Sequence, residues 1–364
     1  MQRLTLGLAL AAAGLAACGD VDDDQRDGKG TDTPVRLTVA ATGDFLIHQP
    51  VWERARADGG GRSYDFRRML RFVRPILQRA DVALCHAETP LTPRGPSGYP
   101  LFSTPRSLAR AIDWAGYDVC STASNHSLDQ GQYGIRSTRA ALSRAGVAHT
   151  GSFASAAAQK RSTILTVHGV KVAFLAYTEM TNGIPLPHRW SVNIARARRI
   201  LRHARRARRR GAQVVVVNLH WGNEYQAKPS RFQRRLAERL TRRGTVTAVV
   251  GQHAHVVQPI SRVNDRLVVF GEGNFISNQT AACCPVASQD GLIALLRIAV
   301  DSDGAKVSAI DYVPTWVRHP DYSVLPVGLA LRRQLAPASV LRASRSRTVG
   351  VAGRARGVRP VSGR

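Results

Sequence analysis

Five short apolar runs in this chain each end in side chains that bind metals, and this repetition constrains the fold more than any other feature. Residues 37–42 run into Gly43-Asp44, and residues 81–85 into His86-Ala87-Glu88. Residues 118–124 lead to Asn125-His126, residues 213–219 to His220-Trp221-Gly222, and residues 246–250 to Gly251-Gln252-His253-Ala254-His255. Apolar runs of this length, bounded by polar turns, read as buried strands with helical stretches between most of them. In an open α/β sheet the carboxyl ends of the strands share one crevice, where ligands bind. The pattern predicts that carboxylates, a carboxamide and imidazoles distant in sequence converge on one point.

Glycine punctuates the helical stretches. Residues 67–79 place Met69, Leu70, Phe72, Val73, Ile76 and Leu77 on one face despite Pro75. Residues 105–115 open on proline and stop before Gly116. Residues 132–145, 192–210 and 230–243 stop before Gly146, Gly211 and Gly244. A helix closed by glycine and followed at once by a strand is the repeat of a layered α/β protein. Residues 163–167 and 170–177 flank His168-Gly169, a two-residue hairpin turn. From residue 256 the strands 256–263, 267–270, 292–300 and 307–313 follow without helices, which predicts a second, partly antiparallel sheet. Two such sheets face to face, with helices outside, make a four-layer αββα sandwich spanning residues 35–326. Residues 327–364 lose periodicity and read as a basic, disordered tail.

The N-terminus reads as a targeting segment. Met1-Gln2-Arg3 precedes the apolar residues 4–17, a run too short for a stable membrane span. It ends in Leu15-Ala16-Ala17-Cys18-Gly19, which looks like a bacterial lipobox, with residues 1–18 as signal and Cys18 as the lipidated residue. Residues 19–34 read as a flexible acidic tether. The expected location is the outer face of the cell membrane. Four further cysteines are too few for a disulfide-built scaffold, and without Cys-x-x-Cys spacing they do not form a zinc cluster. Cys85 and Cys120 each end a strand and can be neighbours, but the sequence favours buried free thiols; the pairing of Cys283 and Cys284 stays open.

A net charge of +27 comes almost wholly from arginine. Residues 196–210 carry nine arginines, and the chain after Leu331 carries nine more. Such a surface suits an anionic polymer, anionic headgroups or nucleic acid, or it is only a solvated face. The export signal argues against nucleic acid as partner.

Histidine, carboxylate and carboxamide donors suit manganese, iron or zinc. Two such ions need a bridging carboxylate, and together they activate a water and stabilise charge on a phosphoryl oxygen. Asn125 and His126 stand side by side, so one can bind metal while the other protonates a leaving group. Asp129, three residues on, can orient His126.

These motifs resemble the CapA family of bacterial capsule-synthesis and poly-γ-glutamate-biosynthesis proteins, which look like relatives of the calcineurin-like metallophosphoesterases. The matching pieces are Gly43-Asp44, Glu88-Thr89-Pro90-Leu91, residues 124–131, His220-Trp221-Gly222-Asn223-Glu224-Tyr225, residues 251–258 and Gly273-Asn274-Phe275. The resemblance covers roughly residues 36–318. It implies two divalent ions: Asp44 and His255 on the first, Asn125, His220 and His253 on the second, and Glu88 bridging. His126 becomes the general acid with Asp129 behind it, and Trp221, Glu224 and Tyr225 shape the substrate side.

Departures from the family pattern matter. His86 stands where asparagine is usual, as an added ligand or an isosteric hydrogen-bonder. Ser124 replaces asparagine, and Gln252 and Ala254 replace histidine and proline. The Asp-x-His opening of the phosphoesterases is absent, position 46 being leucine, so the first ion lacks a ligand. His48 can substitute, although a lone histidine there reads better as structural. The resemblance implies a metal-dependent hydrolase acting on a phosphoester or an anionic polymer. The alternative is a non-catalytic polyanion-binding component of a capsule export complex.

Overall fold

The computed structural model describes residues 33–363, so the signal, most of the tether and Cys18 lie outside the described residues. The described residues open with β1 (Val35–Phe45), α1 (Gln49–Asp58), the single-turn helices α2 (Arg67–Leu70) and α3 (Arg74–Leu77), and β2 (Val82–Ala87). A small ladder of β3 (Leu91–Thr92) and β4 (Thr104–Pro105) leads to α4 (Leu108–Ala115), β5 (Val119–Ser121), α5 (Gly131–Arg144) and β6 (Ala148–Thr150). Next come α6 (Ala156–Lys160), β7 (Thr163–Val167), β8 (Val170–Thr178), α7 (Ala197–Arg209), β9 (Val214–His220), α8 (Arg231–Thr241) and β10 (Ala248–Gln252). The remainder is β11 (Val257–Val263), β12 (Arg266–Glu272), β13 (Asn274–Ile276), β14 (Asp290–Asp301), β15 (Gly304–Arg318), β16 (Ser323–Pro326), α9 (Val327–Arg332), α10 (Ala338–Ala352) and β17 (Val358–Pro360).

Two sheets form. The first has the order β16-β15-β14-β1-β2-β5-β6, with β13 added at β1 and β17 at β15; the second runs β11-β12-β10-β9-β8-β7. Alternation along the strands separates three layers of core. Leu37, Val39 and Ala41 of β1 meet Val172, Phe174, Val214, Val216 and Val250 between the sheets. The opposite rows pack outward. Ala83, Cys85 and Cys120 lie under the helices of the first sheet, while Val215, Val217 and Leu219 lie under Ile200, Ala204, Leu236 and Leu240 of α7 and α8. At about 2 kcal/mol for each fully buried aliphatic side chain, these rows fix the register on both faces. The architecture is the four-layer αββα sandwich.

Several local expectations change. The helix over residues 67–79 is two single turns, because Pro75 has no amide hydrogen and clashes with the preceding turn. Residues 192–195 are extended rather than helical, with Val192 and Ile194 bridging to Ser152 and Thr178. The late strands do not form one sheet: β11 and β12 join the second sheet, while β14 lies antiparallel to β1 in the first. Cys85 and Cys120 are not free thiols; they face each other across β2 and β5, 4.5 Å apart at Cα, and form a disulfide.

The expected disordered tail is ordered. α10 buries Leu341, Ser344, Thr348 and Ala352, a helical stripe of mostly small or polar residues that an apolar periodicity does not register. Arg347 grips the buried Asp290 with two bonds of 2.6 and 3.0 Å, and β17 adds to β15 in parallel.

Candidate metal centre

Both sheets deliver side chains to one place. Asp44 ends β1 and lies in register with His86 on β2 and Asn274 on β13. Gly43 is required there: a Cβ would stand 1.8 Å from the Gly273 carbonyl oxygen, whose partner is the Asp44 amide. Gly251 plays the same part for the second sheet, since a Cβ would meet the Phe270 carbonyl oxygen at 2.1 Å. Beyond β10 the backbone takes positive φ at His253 (90°) and His255 (54°), an uncommon conformation that aims both imidazoles inward. Ser124, one of the departures, donates its hydroxyl to the Glu88 carbonyl at 2.6 Å and so ties the β5 loop to the β2 end.

The resulting distances are short. His255 Nδ1 is 3.2 Å from Asp44 Oδ2, and its Nε2 is 3.8 Å from Glu88 Oε1. His220 Nε2 contacts Asn125 Oδ1 at 2.8 Å and Glu88 Oε1 at 3.8 Å, while its Nδ1 is 3.8 Å from Asp44 Oδ1. The rings of His220 and His253 lie 4.5 Å apart. The backbone amide of His253 donates to the Asp44 carboxylate. Asp44, Glu88, Asn125, His220, His253 and His255 are all buried.

Burial is the largest influence on every ionisable group of the cluster. Burial raises Asp44, but His255, by hydrogen bond and charge, and His86 and His253, by charge, outweigh it and hold the carboxyl below its usual value. Burial and then the Asp44 charge push Glu88 well above the carboxylate range. His255 loses affinity for its proton through burial, yet Glu88 and Asp44 more than restore it, to about 9. Burial takes His86 down to about 4 and His253 to about 3, and carries His220 well below its usual value.

A divalent cation fits these residues. Both carboxylate oxygens of Glu88, both ring nitrogens of His86, and Nδ1 of His220 and of His253 are buried without hydrogen-bond partners. Each such atom costs about 1–3 kcal/mol if nothing meets it, and six in one place point to a missing partner. Their ligand atoms form overlapping groups within 4.8 Å: Asp44, Glu88 and His255; Glu88, His220 and His253; Asp44, His86 and His220. Oxygen and imidazole donors without thiolate match manganese, iron or zinc.

Beside this cluster, His126 Nδ1 lies 2.8 Å from Asp129 Oδ2. The Phe102 amide donates to the same oxygen at 2.8 Å, and the Phe102 ring stands edge-on to His126 at 4.7 Å. Glu224 is exposed, with its carboxylate grouped near His253 and His255. Tyr225 is half-buried at positive φ, and its hydroxyl accepts from Gln279 Nε2 at 2.9 Å. Trp221 does not shape the substrate side: it is fully buried, stacked on Phe270 and bonded to the Phe270 carbonyl at 2.9 Å. It continues the row Val215, Val217, Leu219 that faces the helices, while His220 belongs to the opposite row.

His48 lies outside the donor groups and accepts the Asn278 amide at Nδ1, and Leu46, at the position where the phosphoesterase pattern has histidine, is buried. Two residues without an assigned role enter the site. Asn274 Oδ1 contacts His255 Nδ1 at 3.0 Å, and Gln252 donates to the buried Glu272 at 2.6 Å. Asn274 was visible in its motif, but nothing local tied it to His255.

Comparison with known proteins agrees with this geometry. A family profile described as bacterial capsule synthesis protein PGA_cap matches residues 38–279. The capsule biosynthesis protein CapA of Bacillus anthracis is 28% identical over 255 residues, covering 67% of this chain and 60% of that protein. The PGA biosynthesis protein CapA of Bacillus subtilis is 25% identical over 260 residues, covering 67% and 64%. The chain therefore spans less than two thirds of either relative. The calcineurin-like phosphoesterase YfkN from Bacillus subtilis superposes with a TM-score of 0.52 at 14% identity, covering 86% of this chain and 99% of that one. A 5'-nucleotidase precursor from Thermus thermophilus gives a TM-score of 0.50 at 16% identity, covering 85% and 58%. At such identities the likeness establishes the fold, that of the calcineurin-like metallophosphoesterases.

Proposed function

The chain belongs to the bacterial capsule synthesis protein family PGA_cap, and from that premise we propose that it is an exported, metal-dependent hydrolase with phosphoesterase-type chemistry. The observation that carries the reading is the set of buried, unpartnered donors beside the His126–Asp129 pair. Asp44 and His255 would hold one cation and Asn125, His220 and His253 a second, with Glu88 within reach of both. When bound, such ions stabilise charge on a phosphoryl oxygen and lower the pKa of a water molecule.

The chain's own residues do the rest. Asp129 fixes His126 through Nδ1, which leaves Nε2 as the atom that passes a proton to the leaving oxygen. His126 then returns to neutrality with its Nδ1–H still on Asp129. Phe102 packs against the imidazole and limits water on that side. Glu224 and Tyr225 lie at the mouth, where they meet substrate.

Two features support an address outside the cytoplasm. One is the lipobox-like Leu15–Gly19, with Cys18 as the lipidated anchor. The other is the Cys85–Cys120 disulfide, which suits an oxidising compartment. A second reading is a non-catalytic component that handles an anionic capsule polymer in an export complex. It draws on the arginines of α7 and α8, none of which pairs with a carboxylate among the described residues. Hydrolysis of an aryl phosphodiester separates the two. Turnover that disappears in Glu88→Ala is the enzyme's result; inert, metal-loaded protein that retains polyglutamate in low salt is the binder's.

A further inference from the structure

His86 is the one imidazole of the centre with no task in the six-ligand scheme. It stands on β2 directly opposite Asp44 on β1. It is fully buried, and neither ring nitrogen has a hydrogen-bond partner. A neutral imidazole has one donor and one acceptor to satisfy, and a histidine kept for packing normally satisfies at least one of them. Here both are unmet.

The surroundings indicate what meets them. His86 Nε2 is 3.7 Å from Asp44 Oδ1, too long for a hydrogen bond. It is close to the separation of two donors that converge on one ion through bonds of about 2 Å. The ring stacks on His220 at 4.8 Å with 26° between planes, which sets the direction in which its nitrogens point. Asp44, His86 and His220 place ligand atoms within 4.8 Å of one another. β1 brings Asp44 alone to these donor groups, and Leu46, just past the end of the strand, is apolar and buried.

We propose that His86 Nε2 is a ligand of the cation on the Asp44 side, completing a position that Asp44, Glu88 and His255 leave short of donors. The inference rests on the metal-dependent reading above. It makes the neighbouring strand the source of an imidazole that β1 does not carry, and it gives the buried ring its missing partner.

Manganese(II) binding to the purified full chain tests this, with metal per chain read by plasma mass spectrometry after gel filtration. Wild type binds two equivalents. His86→Leu binds one, the second weakened at least about 100-fold, and its metal-free form melts no lower than metal-free wild type, because the substitution removes two unmet polar atoms. A variant that keeps two equivalents with wild-type affinity overturns the inference and leaves the metal reading intact. Wild type without manganese overturns both. Anomalous diffraction from manganese-loaded wild-type crystals decides the matter without any variant. A peak within about 2.3 Å of His86 Nε2 supports the assignment, and an Asp44-side peak out of bonding reach of that atom contradicts it.

Discussion

One oxygen of Asp129 holds both the imidazole of His126 and the amide of Phe102, each at 2.8 Å. The tie between the His126 imidazole and the backbone at Phe102 therefore runs through a single atom. In Asp129→Asn the two bonds stand or fall together: an amide oxygen in that place keeps both but carries no negative charge, and an amide nitrogen there faces two donors. We expect kcat to fall about 10²–10⁴-fold in His126→Ala for substrates with a poor leaving group, and less for a nitrophenolate, which needs no proton. Asp129→Asn follows the same pattern at smaller amplitude. Comparing kcat for alkyl and nitrophenyl esters measures it, and equal losses for both would remove His126 as the acid.

The C-terminal segment contributes to stability. Arg347 is the partner of a carboxylate that is 2% exposed, and loss of one member of such a pair costs more than its surface counterpart. Because the arginine is partly exposed, Arg347→Ala should destabilise by about 1–3 kcal/mol. Denaturant midpoints check this. A change within error would mean that the segment is only loosely attached.

His149 carries a pH signature. Burial, followed by the charge of Arg139, lowers its pKa from 6.5 to about 4 in the folded protein. Between these values the unfolded chain binds a proton that the folded chain refuses. Stability is full above pH 6.5, declines as pH falls, and levels off below about 4. The loss is on the order of 3 kcal/mol at most. In His149→Gln the slope over this window flattens, as urea melts at about pH 7, 5.5 and 4 will record.

The basic face can be separated from the centre. Arg196, Arg231, Arg235 and Arg239 line a groove with Phe232 at the start of α7 and along α8. Replacing Arg231, Arg235 and Arg239 by serine should weaken retention on immobilised polyglutamate and reduce its salt dependence. Turnover of a small aryl phosphodiester should stay unchanged. Unaltered retention would make this face merely solvated.

Much of the site was legible because strand ends are local. Each apolar run and the polar residues after it lie within about ten positions, so Asp44, Glu88, Asn125, His220, His253 and His255 were identifiable one by one. Trp221 was misplaced although its signal was present: the period of two along residues 215–221 puts it in the helix-facing row. Sheet membership was not legible. The β14–β15 hairpin is local, but its docking on β1, more than 250 residues away at Val35↔Val300, is not. The Cys85–Cys120 pairing depends on the register of two parallel strands, and the helix in the tail depends on a stripe containing serine and threonine.

The buried donors around Glu88 are expected to hold metal. The most direct measurement is the metal content of the full-length protein purified without chelator, beside Glu88→Ala, whose substitution removes the shared carboxylate. Two equivalents of manganese, iron or zinc are expected in the wild type, with a large loss in the variant. Wild-type protein that stays metal-free after incubation with each of these ions would contradict this reading.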